Sequence, residues 1–420
     1  MIVGWNLITQ FLIGGLFMNA VGIDISKGKS MISIMRPLGE IVSKPFEISH
    51  TPSELDNLAN YLKSLEGETK IIMEYTGKYY QPIAQFLIEK GFFVSIIHAK
   101  LIHDFGNNSI RKVKTDKADA IKIANYGLTN WQELRAQTNE DKSRILLKSY
   151  NRQYNQYMKT KTALKNNLIA ILDQTFTHCN NLFSSPRKPD GHEKWVDFTN
   201  RFWHAECVTK QSLNAFTKTY NSWCRKNGYY QNSKKAAEIY KLAQDCLPTL
   251  PYNNFTKQLV KLAVKQVNEV AITISTLQKE MNQLASTLPE YPIVLSLGGV
   301  AETLGPQLIA EIGDIRRFNK KQSLVAFSGV DAPPFQSGTF ESKSRKISKR
   351  GSSNLRKTLF QVMICLLQTT LVNDPVYQFL DRKRQEGKNY YVYMVAGCNK
   401  FLRIYYARVK EYLISTEEFL

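Results

Sequence analysis

The residues Lys-Thr-Asp-Lys-Ala-Asp-Ala at positions 114–120 have the pattern of a helix start that carries two acidic side chains. Thr115 is of the residue type that caps helices, and the residues after it predict a helix that runs to Leu128. Asp116 and Asp119 are three residues apart, so both carboxylates project from one face near the positive end of this helix. A solvated acidic helix start has the same pattern, so this stretch alone does not define a cation site.

Two further acids lie on predicted strands that are otherwise apolar. Asp24 lies within the run 21–25, and Glu74 ends the run 71–74. Burying an unpaired carboxylate is costly, so such a residue normally has a cationic partner or a metal ion. Asp24, Glu74, Asp116 and Asp119 together are therefore predicted to hold two hard cations, Mg²⁺ or Mn²⁺, the arrangement that cuts and joins phosphodiesters.

The composition indicates a polyanionic partner. The chain has 420 residues, with 56 Lys and Arg against 36 Asp and Glu and a formal charge of +20. A charge of this sign and size favours nucleic acid as the partner. Six cysteines without a CxxC pair indicate reduced thiols, and hence a cytoplasmic protein. His204 with Cys207, or His178 with Cys179, lacks the second matching pair that a zinc site needs.

Residues 1–17 are apolar but contain no Lys or Arg before the apolar run, which argues against a secretory signal. The run is short and broken by glycines, so no membrane span is expected. We interpret 1–17 as an N-terminal extension, with Met18 as the natural start.

The pattern from Ala20 to Ala99 predicts an α/β domain. Three β-runs, then a helix, a strand, a helix and a strand follow one another, with acids on the first and fourth strands and on a later helix. This order is the layout of an RNase H-like fold. We expect this domain to cover residues 18–130.

Two long helices are predicted next, at 141–176 and 260–288, because apolar residues recur there at spacings of three and four. They are expected to form an antiparallel hairpin, a dimerisation seam, or both. The whole helical region spans 141–288, and its inserted segment 177–254 has no assignable chemistry.

The region 289–415 is predicted to be mostly helical. The glycine turn within 295–318 resembles a helix-hairpin-helix, although an ordinary packed helix pair has the same pattern. Beyond it comes Ser337, which from its sequence neighbours alone would be a turn residue. Seven basic residues and no acid occupy 343–357, a density that suits phosphate contacts: Lys343, Arg345, Lys346, Lys349, Arg350, Arg356 and Lys357.

Several motifs together resemble the DEDD insertion-sequence transposases. They are Gly-Ile-Asp-Ile-Ser-Lys at 22–27, Met-Glu-Tyr-Thr-Gly at 73–77, the acidic helix start at 114–120, the glycine turn at 298–299, and Phe-Gln-Ser-Gly at 335–338 with Lys-Arg-Gly at 349–351. The resemblance implies a RuvC-like N-terminal domain and a C-terminal serine transposase domain, and it covers 18–410 apart from 177–254. The chain departs from it at Ala301 in the hairpin and at His98-Ala99, where many relatives have an Asn-Pro-type turn.

This resemblance also implies a mechanism and partners. The four acids would hold divalent metal, and Ser337 would be the nucleophile that links covalently to DNA. The two domains would form a composite site between subunits of a homodimer or homotetramer. A structured non-coding RNA, the bridge RNA, would pair with both target and donor DNA.

Three other functions are compatible with parts of the sequence. A RuvC-like hydrolytic, junction-resolving nuclease would use only the metal site. A non-catalytic, basic nucleic-acid-binding protein would use only the charge. An actin-like ATPase or sugar kinase shares the opening Gly-Ile-Asp at 22–24, but it gives the acids at 116 and 119 no role.

Overall fold

The computed structural model of the chain describes residues 18–75, 77–105, 115–137, 141–184, 188–334, 336–337, 340–341 and 345–417. The predicted extension 1–17 lies outside these residues. The chain divides into two compact units, Met1–Asn139 and Glu140–Leu420. Within the described residues, no helix has both the length and the apolar character needed to cross a membrane.

The first unit is built on a five-stranded sheet with the order β3-β2-β1-β4-β5. The first three strands are antiparallel neighbours, while β1, β4 and β5 run parallel. This mixed sheet confirms the predicted α/β fold. The strands are β1 (Met18–Ser26), β2 (Lys29–Met35), β3 (Ile41–Ser49), β4 (Glu68–Glu74) and β5 (Phe93–Ile97).

Helices cover both faces of this sheet because side chains along each strand alternate in direction. Residues such as Val21 and Ile23 of β1 pack in one core with the first two helices. Ala20 and Ile72 face the other way and pack against the fourth helix. The helices are α1 (Pro52–Lys63), α2 (Tyr80–Glu89), α3 (Ala99–Phe105) and α4 (Asp116–Thr129).

The second unit contains two long helices, α5 (Lys142–Leu172) and the later α10 (Asn254–Ser286), that pack side by side. Leu172, at the end of α5, shares a core with Val260 near the start of α10. Leu147, at the start of α5, shares another with Met281 near the end of α10. The two helices are therefore antiparallel, which is the first of the two predicted arrangements; a dimerisation seam stays a prediction.

The inserted segment folds into short helices around an aromatic core. Phe198 stacks on Phe202 with 4.7 Å between ring centroids, and Trp223 meets Phe198 edge-on at 5.7 Å. The sequence showed only that this segment is rich in aromatic residues. Its helices are α6 (Lys194–Arg201), α7 (Glu206–Thr209), α8 (Leu213–Lys226) and α9 (Ser233–Gln244).

The C-terminal part is helical, as predicted. Its described residues also include a short antiparallel hairpin, whose strands are β6 (Gln336–Ser337) and β7 (Phe340–Glu341). Its helices are α11 (Tyr291–Leu295), α12 (Gly305–Ile312), α13 (Lys321–Ser328), α14 (Ser353–Thr369), α15 (Pro375–Gln385) and α16 (Tyr390–Glu417).

The glycine turn between α11 and α12 packs closely against its own chain. A Cβ on Gly298 would lie 2.2 Å from a carboxylate oxygen of Asp374. Gly299 has φ +73°, and a Cβ there would lie 2.8 Å from the carbonyl oxygen of Val362 in α14. Close packing therefore accounts for both glycines, and a contact of this turn with DNA stays a prediction.

Glu311 on α12 is a buried carboxylate, only 1% exposed, that joins three parts of the second unit. It accepts hydrogen bonds from Asn151 and Arg152 of α5, at 2.8 and 3.2 Å. It also accepts one from the hydroxyl of Ser352, at 2.9 Å, while that hydroxyl caps α14 by accepting from the amide of Leu355. A charge satisfied in this way fixes the start of α14.

Candidate active site

Asp24 and Glu74 occupy equivalent positions at the carboxyl ends of two parallel strands. Ile23 and Met73 are partners in the register of β1 and β4, so the two acids that follow them stand side by side. Both side chains leave the sheet on the face covered by α4, because they lie two residues beyond Gly22 and Ile72 on that face. Asp24 and Glu74 are half-buried.

Helix α4 lies against β1 because residue 22 has no side chain. A Cβ on Gly22 would lie 2.2 Å from the carbonyl oxygen of Ala120 and 2.4 Å from the amide nitrogen of Ala124. Further along, Gly127 lies against Ile72. The helix therefore runs antiparallel to β1, and its N-terminal end lies at the carboxyl ends of the strands.

The first turn of α4 carries the other two acids. Thr115 caps it as predicted, since its hydroxyl accepts a hydrogen bond of 3.2 Å from the amide of Ala118. Asp119 is half-buried and Asp116 is exposed. Each lies in the turn whose unpaired amides make this helix end positive, which partly offsets the repulsion among the acids.

The other three carboxylates are close enough to Asp24 for their charges to affect its pKa. The pKa of Asp24 is raised from 3.8 to about 6, first by burial and then by the charges of Asp119, Asp116 and Glu74. A hydrogen bond from the amide of Ile25 acts in the opposite direction. The fold therefore brings the four predicted acids into one electrostatically coupled group around Asp24.

Three basic side chains lie near enough to Glu74 to affect its pKa, and none of them was predicted to be part of the site. Burial, and then the charge of Asp119, raise the pKa of Glu74, while Lys122, His103 and His98 lower it. Lys122 is three residues after Asp119 on α4, a spacing that could have identified it. His98 follows β5, whose last residue, Ile97, is the register partner of Glu74; only the strand pairing reveals this.

The donor chemistry of the group suits a hard divalent ion, since carboxylate oxygens are the ligands that Mg²⁺ and Mn²⁺ prefer. Across the part of the chain that the structure describes, no three carboxylate, imidazole or thiol side chains are close enough to hold one ion. Four like charges repel one another, so the side chains are expected to draw together only around a neutralising cation.

The structure says less about Ser337. Its backbone belongs to β6, where it is the register partner of Phe340 in β7. The side chain of Ser337 lies outside the described residues, and so do Lys343 and the motif residues Phe335 and Gly338. The predicted role of Ser337 as a nucleophile therefore stays a prediction.

The described basic residues after the hairpin differ in their surroundings. Arg345, Lys346, Lys349 and Arg350 are exposed, which suits the predicted phosphate contacts. Arg356 instead donates through Nη1 to the carbonyl oxygens of Ser328 and Gly351, at 3.0 and 3.1 Å. It ties this segment to the end of α13, and its phosphate contact stays a prediction.

The backbone of the segment is also held in place. Lys349 has φ +54°, a left-handed conformation that is costly for a residue with a side chain. Its amide donates to the carbonyl of Gly329 at 3.1 Å, and the hydroxyl of Ser348 donates to Asp331 at 2.6 Å. These contacts keep Lys349 and Arg350 projecting from a fixed turn.

Comparisons with known proteins identify a family that this chain resembles. A family model for DEDD transposases, described as "Transposase", matches residues 21–177, and a second, "Transposase IS116/IS110/IS902 family", matches 291–378. The pilin gene-inverting proteins of Moraxella bovis and Moraxella lacunata are each 23% identical over 346 residues, 81% of this chain and 80% of theirs.

A solved structure of T. thermophilus RuvC in complex with a Holliday junction substrate also aligns. It is 11% identical, and the alignment covers 29% of this chain and 99% of that one with a TM-score of 0.23. The two family matches cover both the acidic group and the segment around Ser337. The chain belongs to the IS116/IS110/IS902 family of transposases.

Proposed function

We propose that this transposase cuts and rejoins DNA strands by a metal-dependent reaction at Asp24, Glu74, Asp116 and Asp119, with Ser337 as the nucleophile. The observation that supports the proposal is that Asp24, at the end of β1, lies within the electrostatic influence of three other acids. The relatives are named for inverting a pilin gene, and inversion requires DNA strands to be cut and rejoined.

The four acids share one task in this reaction, although they lie on different elements. Asp24 and Glu74 are fixed by the sheet, while Asp116 and Asp119 are carried by the first turn of α4. Together they would hold Mg²⁺ or Mn²⁺, which polarises the scissile phosphate when bound. With a pKa of about 6, Asp24 is mostly ionised at neutral pH and is ready to act as a ligand.

Ser337 would preserve the energy of the broken bond. Its hydroxyl oxygen forms a bond to phosphorus, the sugar oxygen of the cut strand leaves, and the hydroxyl proton passes to a base or to solvent. One ester replaces another, so a later attack by a strand end can rejoin DNA without a nucleotide cofactor.

A structured RNA, the bridge RNA, is proposed as the guide that selects target and donor DNA. The formal charge of +20 supports a polyanionic partner, and RNA fits this as well as DNA does. Purifying the protein from cells that carry its element and sequencing the bound nucleic acid tests this. A discrete RNA matching the flanks of the coding region is expected, and only random fragments would contradict the guide.

Strand cleavage and joining test the reaction itself. The unmodified protein is incubated with Mg²⁺ and DNA carrying the element's ends, and covalent protein–DNA adducts and joined strands are counted. Asp24→Asn and Ser337→Ala are each expected to abolish both products, while the exposed-site control Glu66→Gln keeps them. If Ser337→Ala still cuts and joins, the serine is not the nucleophile; cutting alone would favour a hydrolytic nuclease.

A further inference from the structure

The inserted segment and the start of α10 enclose a cleft of about 570 Å³. In sequence, its lining residues fall between the two stretches that the family models match. Its walls come from the end of α6, the turn before and after α7, and the first two turns of α10. The cleft lies wholly within the second unit. A volume of this size accommodates a small ligand or one nucleotide, but not a duplex.

The cleft is basic. Arg201, Lys210, Lys257 and Lys261 line it, against a single acidic side chain among the lining residues, Glu206. Glu206 lies 3.1 Å from Lys210, so it neutralises part of only one of the four positive charges. A concave surface with this balance concentrates anions.

The N-terminal end of α10 adds to the attraction. Asn254, its first residue, lines the cleft. The amides of a helix's first turn have no acceptor within the helix, and this helix is 33 residues long. Asn253 caps one of them by accepting a 2.9 Å bond from the amide of Thr256. Amides at such an end are suited to phosphate oxygens.

One wall of the cleft is a pair of stacked rings. Trp203 and Tyr252 lie 4.8 Å apart at 13°. Lys210 lies 3.7 Å from the centre of the Tyr252 ring, so this ring connects the apolar wall to the basic lining. Tyr252 is 39% exposed, while Trp203 beneath it is buried.

A buried histidine holds this wall in place. His204 is 1% exposed, and its Nδ1 accepts a 3.1 Å bond from the amide of Glu206. The ring proton is therefore on Nε2, which donates to the carbonyl of Leu250 at 3.1 Å. His204 therefore connects the turn at 203–206 to the segment before α10 by hydrogen bonds. Because both ring nitrogens are engaged, neither is available to bind zinc in this arrangement.

We propose that this cleft binds a nucleotide of single-stranded nucleic acid, with a phosphate among Lys257, Lys261 and the start of α10. The sugar or base then lies against the edge of the Tyr252 ring, because Trp203 covers one face of that ring and Lys210 lies over the other. Basic grooves beside aromatic rings are the usual means of holding single strands, whereas duplex phosphates lie on a convex surface that does not enter a cleft. The proposal is independent of the metal site, and it gives the inserted segment a function.

Fluorescence anisotropy of the full-length chain, without metal, tests this with labelled oligo-deoxythymidine, oligo-uridine and a DNA duplex. The charge variant Lys257→Gln with Lys261→Gln is compared with a matched pair on the same helix, Lys265→Gln with Lys279→Gln. For the cleft pair, the slope of log affinity against log salt is expected to fall by about 1.4 for single strands, because each phosphate contact contributes about 0.7. The control pair is expected to keep the slope.

Comparing the RNA oligonucleotide with the DNA oligonucleotide identifies which nucleic acid supplies the nucleotide. A larger effect with oligo-uridine would assign the cleft to RNA, and a larger effect with oligo-deoxythymidine would assign it to single-stranded DNA; either supports the proposal. Equal loss of slope in the cleft and control pairs, or an equal effect on duplex binding, would show that binding depends only on overall charge. Either result would overturn the proposal.

A Tyr252→Leu variant separates a nucleotide from a bare phosphate. Single-strand affinity is expected to fall about fivefold or more while the salt slope is kept, because the contact with the aromatic ring is lost but no charge is. Thermal melting checks that the variant is folded. Unchanged affinity in a folded variant would contradict the assignment of the ring wall to the nucleotide.

Discussion

Replacing Asp24 by Asn is expected to stabilise the metal-free protein at neutral pH while abolishing its reaction with DNA. The pKa of Asp24 is raised by burial and by three neighbouring acids, so the ionised carboxylate is destabilised in the folded chain. Asn has nearly the same shape without the charge. A gain in stability on losing a residue of the site is a signature of charges held together for function.

The magnitude follows from the shift. Raising a pKa from 3.8 to about 6 corresponds to about 3 kcal/mol at 1.36 kcal/mol per unit. Asp24 is only partly buried, and solvent screening reduces this to about 1–2 kcal/mol.

The expected pH dependence has a definite sign. The folded state binds this proton more tightly than the unfolded chain does, so the destabilisation is absent below pH 3.8, develops as the pH rises from 3.8 to about 6, and is complete above that. The advantage of Asp24→Asn is therefore largest at neutral pH and shrinks as the pH is lowered through about 6.

Hydrogen exchange of the peptide that covers β1 measures the effect in the first unit alone, in buffer with a chelator. Glu66→Gln removes the same charge from an exposed position and is expected to leave the exchange unchanged. Adding Mg²⁺ is expected to slow exchange in the unmodified protein, by mass action, and not in Asp24→Asn. Exchange in Asp24→Asn that is as fast as in the unmodified chain, or faster, without metal at neutral pH would refute the inference that neighbouring acids and burial destabilise ionised Asp24.

Three further predictions concern other parts of the chain. Gly22→Ala pushes a methyl group into the carbonyl of Ala120, so we expect the free energy of unfolding in urea to fall by about 1–3 kcal/mol and strand cleavage to be lost. Unchanged stability would mean that α4 does not contact β1 as described. Ser337→Ala is expected to lose covalent protein–DNA adducts on denaturing gels while its melting temperature stays unchanged, and persistent adducts would refute the role of the serine. Glu311→Gln places an amide among donors and is expected to cost about 1–3 kcal/mol in urea unfolding, against no change for the exposed Glu280→Gln; equal stability of the two variants would argue against the buried network.

The first unit could be predicted from the sequence because its signals are local. The apolar runs at 21–25 and 71–74 lie within β1 and β4, and Thr115 marked the start of α4. The acids were identifiable because a lone carboxylate on an apolar strand is unusual. That Gly22 lets α4 contact β1 could not be read off, since it depends on which strand and helix meet.

The rest depends on contacts between residues distant in sequence. The charge density of 343–357 was visible, but only the fold shows that Arg356 bonds to backbone carbonyls while Lys349 and Arg350 are exposed. Glu311 looked like an ordinary residue of an apolar helix, because its partners are on α5 and at the start of α14. The boundaries predicted within 140–420 and the subunit number stay predictions.

The inserted segment shows the same limit most clearly. Aromatic residues recur at helical spacing there, as at Phe216, Tyr220 and Trp223, but this spacing does not show which helices pack together. The basic cleft forms only when the start of α10 meets the turns around α7. Lys210 follows α7 and Lys257 lies on α10, so their distance in the sequence does not predict that both line one cleft.

Iron-directed backbone cleavage tests the convergence of the four acids on one metal most directly. Fe²⁺ is bound in place of Mg²⁺, hydroxyl radicals are generated at the metal with peroxide and ascorbate, and the cut positions in the chain are mapped by mass spectrometry. We expect cuts near residues 24, 74 and 116–119 together, suppressed by excess Mg²⁺ and lost in Asp24→Asn. Cuts confined to other parts of the chain, or the same cuts in Asp24→Asn, would contradict the account.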